Sequence, residues 1–284
     1  MSQFTRSTAP FIQSIAHPTD FSDSSARAFA HALAISLARA AALTILHAKT
    51  SRYADWRNAP SVRGTLERWG YLEQGSSRTD VFDRLGIRVS KVDVGGSKAM
   101  DAVVKFLDDH PTDALVLATE GRKGLPRWLH HSFAEELARK THTMALFVPQ
   151  SGKDFVNLAT GDVTLRRILV PVAREPDPMP ALLRAARAYE LMRDRPITVC
   201  VLHVGDDAEM PDLNLPEVEG CQWERIHRKG DPVDEIVRVA SEGNFDSIAM
   251  ATVGHHGVLG ALRGGTTEQV LHRSPCPLLA IPCN

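Results

Sequence analysis

The densest concentration of chemistry-bearing residues lies near the C-terminal end, where Ala251-Thr252-Val253-Gly254-His255-His256-Gly257 leads through Gly260 to Arg263-Gly264-Gly265-Thr266-Thr267-Glu268. Closely spaced glycines let backbone N–H groups approach phosphate oxygens, and a helix N-terminus with threonine hydroxyls adds further donors. Ala251, Gly254, His255, Gly257, Arg263, Gly264, Gly265, Thr266 and Thr267 are therefore candidate phosphate contacts. Histidine pairs at His130-His131 and His255-His256 invite a metal reading, but no carboxylate or cysteine accompanies them at ligand spacing, so solvated loops or a phosphate contact from His255 are preferred. His47 and His203 each close an apolar run without a nearby nucleophile, which favours a structural hydrogen bond over general-base work. Arg122-Lys123 reads as a solvated basic pair. No Walker lysine, paired carboxylates or triad is visible. The four cysteines, Cys200, Cys221, Cys276 and Cys283, form no CxxC pair and read as free thiols.

The elements that must position these residues occur twice, with a period of about 140 residues. Ser14-Ile15-Ala16-His17-Pro18 is echoed by Arg167-Ile168-Leu169-Val170-Pro171, each a first strand stopping at proline. Helical spacing follows at Ala26, Phe29, Ala30, Leu33 and Leu37, matched by Leu182, Ala185, Ala186 and Tyr189, with Ser22 or Asp23 available to cap the first helix. Second strands end alike in Leu46-His47 and Leu202-His203. Third strands end at Gly95-Gly96 and at Gly230-Asp231-Pro232, and the proline opens a helix in the second half. Fourth strands begin at Asp113 and Asp246, turn residues at the end of the sheet remote from any site, and fifth strands close at Pro149 and Pro282.

Continuous apolar strands alternating with amphipathic helices predict two doubly wound, mainly parallel five-stranded α/β sheets, one per repeat. The expected division is repeat 1 over 1–150, a linker over 151–166 containing Gly152 and Gly161, and repeat 2 over 167–284. Between strands two and three the first repeat is longer by about 20 residues, enough for a covering helix, whereas residues 205–220 of the second predict an irregular loop. The second sheet is then covered on that face by the loop itself, by the other repeat or by a partner. Ligands of such sheets sit beyond the carboxyl ends of the strands, which puts Asp20, His47, Ala118, Ala173, His203 and Ala251 on the functional edge.

The order of elements, the aspartate after strand one, the Leu-His strand ends and a loop close to G-x2-G-x9-G-[ST] together resemble the universal stress protein family, twice over nearly the whole chain. The resemblance implies an adenine-nucleotide-hydrolase-like fold and a site for an adenine nucleotide, ATP or another one, with or without magnesium, in which the strand-one aspartate meets adenosine and the glycine loop holds the phosphates. Carried over residue by residue, the first repeat keeps Pro18, Thr19, Asp20, Gly121 and Ser132 but places His131 where the third glycine belongs. The second keeps Pro171, Val172, Gly254 and Gly264, with Ala251 for the first glycine and Ala173 for the aspartate. The family likeness also implies a stress-associated role and pairing of repeats through their last strands, here within one chain, with a further homodimer left open.

Three functions remain in play: a nucleotide-binding regulator using repeat 2 without dedicated catalysis, a nucleotide-free interaction scaffold, and a weak ATPase using the same loop. An unidentified protein partner belongs to the first two. A formal charge of −1, from 33 basic and 34 acidic residues, argues against nucleic acid and anionic membrane as partners. A polar N-terminal stretch and the lack of any long apolar run lead us to expect a cytoplasmic protein.

Overall fold

A computed structural model describes residues 12–49, 56–96, 98–119, 133–192, 195–253 and 265–283. The first half comprises β1 (Ser14–Pro18), α1 (Asp23–Arg39), β2 (Ala42–Lys49), α2 (Val62–Arg68), α3 (Asp80–Leu85), β3 (Val89–Gly95), α4 (Ala99–Asp109), β4 (Ala114–Thr119), α5 (Phe133–Thr141) and β5 (Met144–Pro149). The second half repeats the order with β6 (Arg167–Val172), α6 (Met179–Arg187), β7 (Ile197–Val204), β8 (Cys221–Arg228), α7 (Pro232–Glu242), β9 (Ser247–Val253), α8 (Thr266–Arg273) and β10 (Leu278–Cys283).

Local chemistry explains the helix boundaries. Ser22 caps α1 by accepting from Ser25 N, and Asp231 caps α7 with Pro232 in its first turn. Within each half the strands are parallel, in the orders β3-β2-β1-β4-β5 and β10-β9-β6-β7-β8. The two five-stranded sheets join edge to edge, because β5 and β10 pair antiparallel through Phe147 with Leu278, Leu146 with Leu279 and Ala145 with Ala280. The result is one ten-stranded sheet with the repeats paired internally through their last strands.

Alternation along the strands divides the apolar residues between two cores, one on each face, and each core runs across both repeats. Ile15, Val116, Leu146, Val170 and Ile281 point toward α1 and α6, whereas Leu115, Phe147, Leu169 and Leu278 point toward the side of α4, α5, α7 and α8. At the amino ends of the strands Asp113 Oδ2 accepts from Gln13 N and Ser14 N at 2.8 and 2.9 Å, and Asp246 Oδ2 accepts from Arg166 N and Arg167 N at 2.7 and 2.8 Å. These carboxylates tie each fourth strand to its first by satisfying otherwise orphaned donors.

The connection between β5 and β6 is more ordered than its two glycines suggest. Val156 bridges to Val163, Phe155, Val156 and Leu165 join the core, and Gly161 turns at φ 76° against the face of Trp69. Arg27 binds Asp154 Oδ1 and the carbonyls of Gln150 and Gly152, while Lys153 reaches Asp246 and the Asn244 carbonyl, so this segment is fastened to both halves. In the first repeat the extra residues between β2 and β3 form α2 and α3. In the second, residues 205–220 form a loop with one short 3-10 turn, and Leu213 and Leu215 fold it back onto the core, so the loop itself covers that face.

Candidate functional site

Strand order reverses between β1 and β4 in the first half and between β6 and β9 in the second, so the crevice at the carboxyl ends of these pairs is the expected ligand position. In the first crevice β1 delivers Pro18, then Thr19 and Asp20. Thr19 N donates to Leu46 O at 2.8 Å, and His47 Nδ1 lies 3.0 Å from Thr19 O, which fixes the bend of the chain as it leaves the strand. Asp20 is exposed, and its Oδ1 takes three donors: Ser22 N at 3.0 Å, Ser22 Oγ at 2.6 Å and Ser25 Oγ at 2.6 Å. Partial burial pushes the Asp20 carboxyl up, but the hydrogen bonds from Ser22 and Ser25 outweigh it and hold it below the usual carboxylate range. The anion is thus rigidly presented.

Beside it stands an aromatic group that the sequence does not announce. Phe21 adopts φ 62°, a left-handed conformation unusual for a residue with a Cβ, and stacks on His47 with ring centroids 4.3 Å apart. Trp56 meets Phe21 edge-on at 5.2 Å and donates from Nε1 to Asp93 Oδ1 at 3.0 Å. Trp56 comes from the insertion peculiar to the first repeat. A tryptophan distant in sequence with no periodicity gives no signal of this placement.

The second crevice has the same frame with different groups. Pro18 pairs with Leu46 and Pro171 with Leu202, so Pro171, Val172 and Ala173 occupy the places of Pro18, Thr19 and Asp20. His203 Nδ1 lies 3.3 Å from Val172 O, as His47 does from Thr19 O, and its Nε2 is 3.1 Å from Asp206 O. Both histidines therefore brace the turn after the first strand, the structural role expected of them, although they do not end their strands: pairing to the third strand carries β2 on to Lys49 and β7 on to Val204. His203 stacks on His227 at 5.4 Å, and His227 bonds Gly205 O and Asp207. No carboxylate follows β6 at the place of Asp20, since Ala173 stands there.

Ala251 lies on β9 in parallel register with Ile281. Gly265 is the N-cap of α8 and offers no side-chain capping bond; Thr266 follows it exposed, and Thr267 is buried. The helix therefore starts with backbone donors that no cap side chain satisfies. Gly254, His255, Gly257, Arg263 and Gly264, together with His256, lie outside the described residues, as do Gly121, Arg122, Lys123, His130, His131 and Ser132. Among the described residues the donor atoms of Glu135, Glu268 and His272 lie within 4.8 Å of one another. They tie α5 to α8 across the two halves, with His272 Nε2 3.8 Å from each carboxylate. All four cysteines are free, and burial pushes the thiols of Cys200 and Cys276 up to about 12.

Fold and site together define a tandem, doubly wound α/β protein whose halves share a sheet and carry one crevice each at the reversal of strand order. The family model for universal stress proteins matches residues 12–149 and 215–282, and the chain belongs to the universal stress protein family. A universal stress protein from Methanothermobacter thermautotrophicus is 41% identical over 66 residues, which are 23% of this chain and 44% of that relative, so the match spans less than half of the relative's length. A universal stress protein structure from Archaeoglobus fulgidus superposes over 95% of this chain and 98% of its own with a TM-score of 0.61 at 17% identity. A protein of unknown function from Pseudomonas aeruginosa does so over 95% and 92% with a TM-score of 0.62 at 14% identity. At such identities the likeness is one of fold, and it extends over both repeats. No described helix is long and apolar enough to cross a membrane.

Proposed function

We propose that the chain is a regulatory binding module that takes an adenine nucleotide, ATP with magnesium, in the crevice of repeat 2, without dedicated catalysis. The observation that carries this reading is the start of α8. Gly265 caps the helix without a side chain, Thr266 stands exposed beside it, and in the sequence both directly follow the glycine-rich stretch that comes after β9. Uncapped N–H groups at a helix start favour an anion through both hydrogen bonding and the helix dipole. Nucleotide occupancy then changes the surface that a protein partner meets in a stress-associated role.

Equilibrium binding of labelled ATP with magnesium tests the proposal. Saturable binding below millimolar concentration, weakened by Gly264→Val and indifferent to Asp20→Ala, is the expected result. Indifference to Gly264→Val with loss on Asp20→Ala would move the site to repeat 1, and no binding at millimolar ATP would sink the reading.

The nucleotide-free scaffold is favoured by a different observation. Ala173 has no carboxylate for a nucleoside, and the Asp20 Oδ1 that survives in repeat 1 is already occupied by Ser22 and Ser25. The two readings separate on the same titration.

A further inference from the structure

We propose that the outer edge of the first repeat carries a second binding site, separate from either crevice, for a small phosphorylated molecule with an apolar body. The site is a groove of about 620 Å³ formed where α2 and α3 approach β3, the terminal strand of the sheet. That volume lies within the range of small-molecule sites. Its floor is apolar, from Val62, Val81, Ile87 and Val89, and its walls carry Arg63, Arg78, Arg88 and Lys91, with no aspartate or glutamate among the described lining residues.

The charges are what single this groove out. Arg63 contacts Glu67 at 3.5 Å, but Arg78, Arg88 and Lys91 make no ion pair among the described residues. Instead, Arg88 lies over the Phe82 ring at 5.1 Å and Lys91 over the Trp56 ring at 5.2 Å. The acidic groups nearby are turned elsewhere: Glu67 accepts from Ser76 N and Oγ, and Asp80 accepts from Ser77 N and contacts Arg84. Burial, and secondarily the charge of Arg78, hold the Lys91 ammonium below its usual range, as expected where like charges converge without an anion. Two planar guanidiniums and an ammonium around one concavity match the oxygens of a phosphoryl group, which Arg binds in a bidentate manner. The apolar floor and Phe82, 48% exposed, supply a surface for the rest of the ligand.

The groove shares no described lining residue with either crevice, and Trp56, beneath Lys91 and against Phe21, stands at its border with the first. This groove is lined by Arg88 and the amino half of β3, away from the carboxyl ends of the strands, and both covering helices come from the insertion between β2 and β3. The second repeat has no α-helix in the corresponding stretch, so among the described residues the groove has no counterpart there.

Calorimetric titration of the full chain with phenyl phosphate, inorganic phosphate and benzyl alcohol tests the proposal. Phenyl phosphate should bind more tightly than inorganic phosphate, benzyl alcohol should not bind, and raising salt should weaken the interaction. Arg78→Gln and Lys91→Gln should each reduce affinity about tenfold, Lys91→Arg should restore most of it, and Asp20→Ala should leave it unchanged. Both residues lie at the surface, Lys91 with its ammonium partly covered, so unaltered circular dichroism and melting temperature certify the fold of the variants. The proposal is overturned by no binding at about 10 mM phenyl phosphate, where a site with a Kd of about 1 mM would be roughly nine-tenths filled. It is equally overturned by affinity that survives the Arg78→Gln/Lys91→Gln double variant, by equal binding of benzyl alcohol, or by loss of binding in Asp20→Ala.

Discussion

His17, the residue that precedes Pro18 at the first crevice, should make this protein acid-sensitive in a way that can be calculated. Its side chain is 0% exposed, Nδ1 lies 2.9 Å from Val116 O, and Nε2 has no hydrogen-bond partner among the described residues. Burial lowers its pKa from 6.5 to about 4, against smaller raising effects from Val116 and Asp20. Below pH 6.5 the unfolded chain takes up a proton that the native protein refuses until the pH nears about 4, so stability falls as pH decreases through that window. At about 1.4 kcal/mol per unit the full loss is about 3 kcal/mol, of which about 2 kcal/mol falls between pH 7 and pH 5. Against a total of about 5 to 15 kcal/mol for a typical domain, this is a large share.

The assay is urea unfolding of wild type and His17→Gln at both pH values. Glutamine keeps a donor for Val116 O but carries no titrating group. The variant should be the less stable protein at pH 7, and its deficit should shrink by about 2 kcal/mol at pH 5. A deficit that stays constant between the two pH values would refute the reasoning. His31, held low chiefly by burial, titrates in the same sense in both proteins and cancels from the comparison.

Three further outcomes follow from the fold. Asp246→Ala strands the N–H groups of Arg166 and Arg167 and leaves Lys153 only its neutral partner Asn244, and should cost about 2 to 4 kcal/mol in chemical denaturation. Gly161→Ala would set a Cβ 2.3 Å from the Trp69 ring at φ 76°, and should lower stability by about 1 to 3 kcal/mol while shifting tryptophan emission. The thiols of Cys200 and Cys276, pushed up to about 12 by burial, should remain unreactive toward a disulfide reagent at pH 8 in native protein and react once it is unfolded in urea.

The duplicated architecture was open to inspection in the sequence because it depends on period and punctuation. Leu46 and Leu202 stand in the same register opposite Pro18 and Pro171, although the strands run on past the histidines to Lys49 and Val204, and Ser22, Asp231 and Pro232 sit at the helix starts where capping chemistry puts them. Edge-to-edge fusion of the two sheets followed from family likeness, not from any residue pattern. Contacts between distant residues were hidden for a plain reason: nothing local distinguishes Trp56 reaching Asp93, or Trp69 covering Gly161, from any other aromatic in an insertion. The engagement of Asp20 by Ser22 and Ser25 was spelled out in the sequence as an aspartate followed by serines, yet the same residues also read simply as a helix cap. The connection over 151–166 looked like a tether by composition, whereas Arg27 and Lys153 make it a clasp.

The antiparallel seam between β5 and β10 has an evolutionary consequence. When two identical chains meet through such an edge, every substitution enters the contact twice, and assembly waits on concentration. Here the partner edge is always supplied by the same molecule, at an effective concentration of millimolar order or above. The two sides of the seam are also separate stretches of sequence, so Phe147 can face Leu278 without any need for self-complementarity. Released from that symmetry, each crevice is free to change independently, as Asp20 in one and Ala173 in the other record.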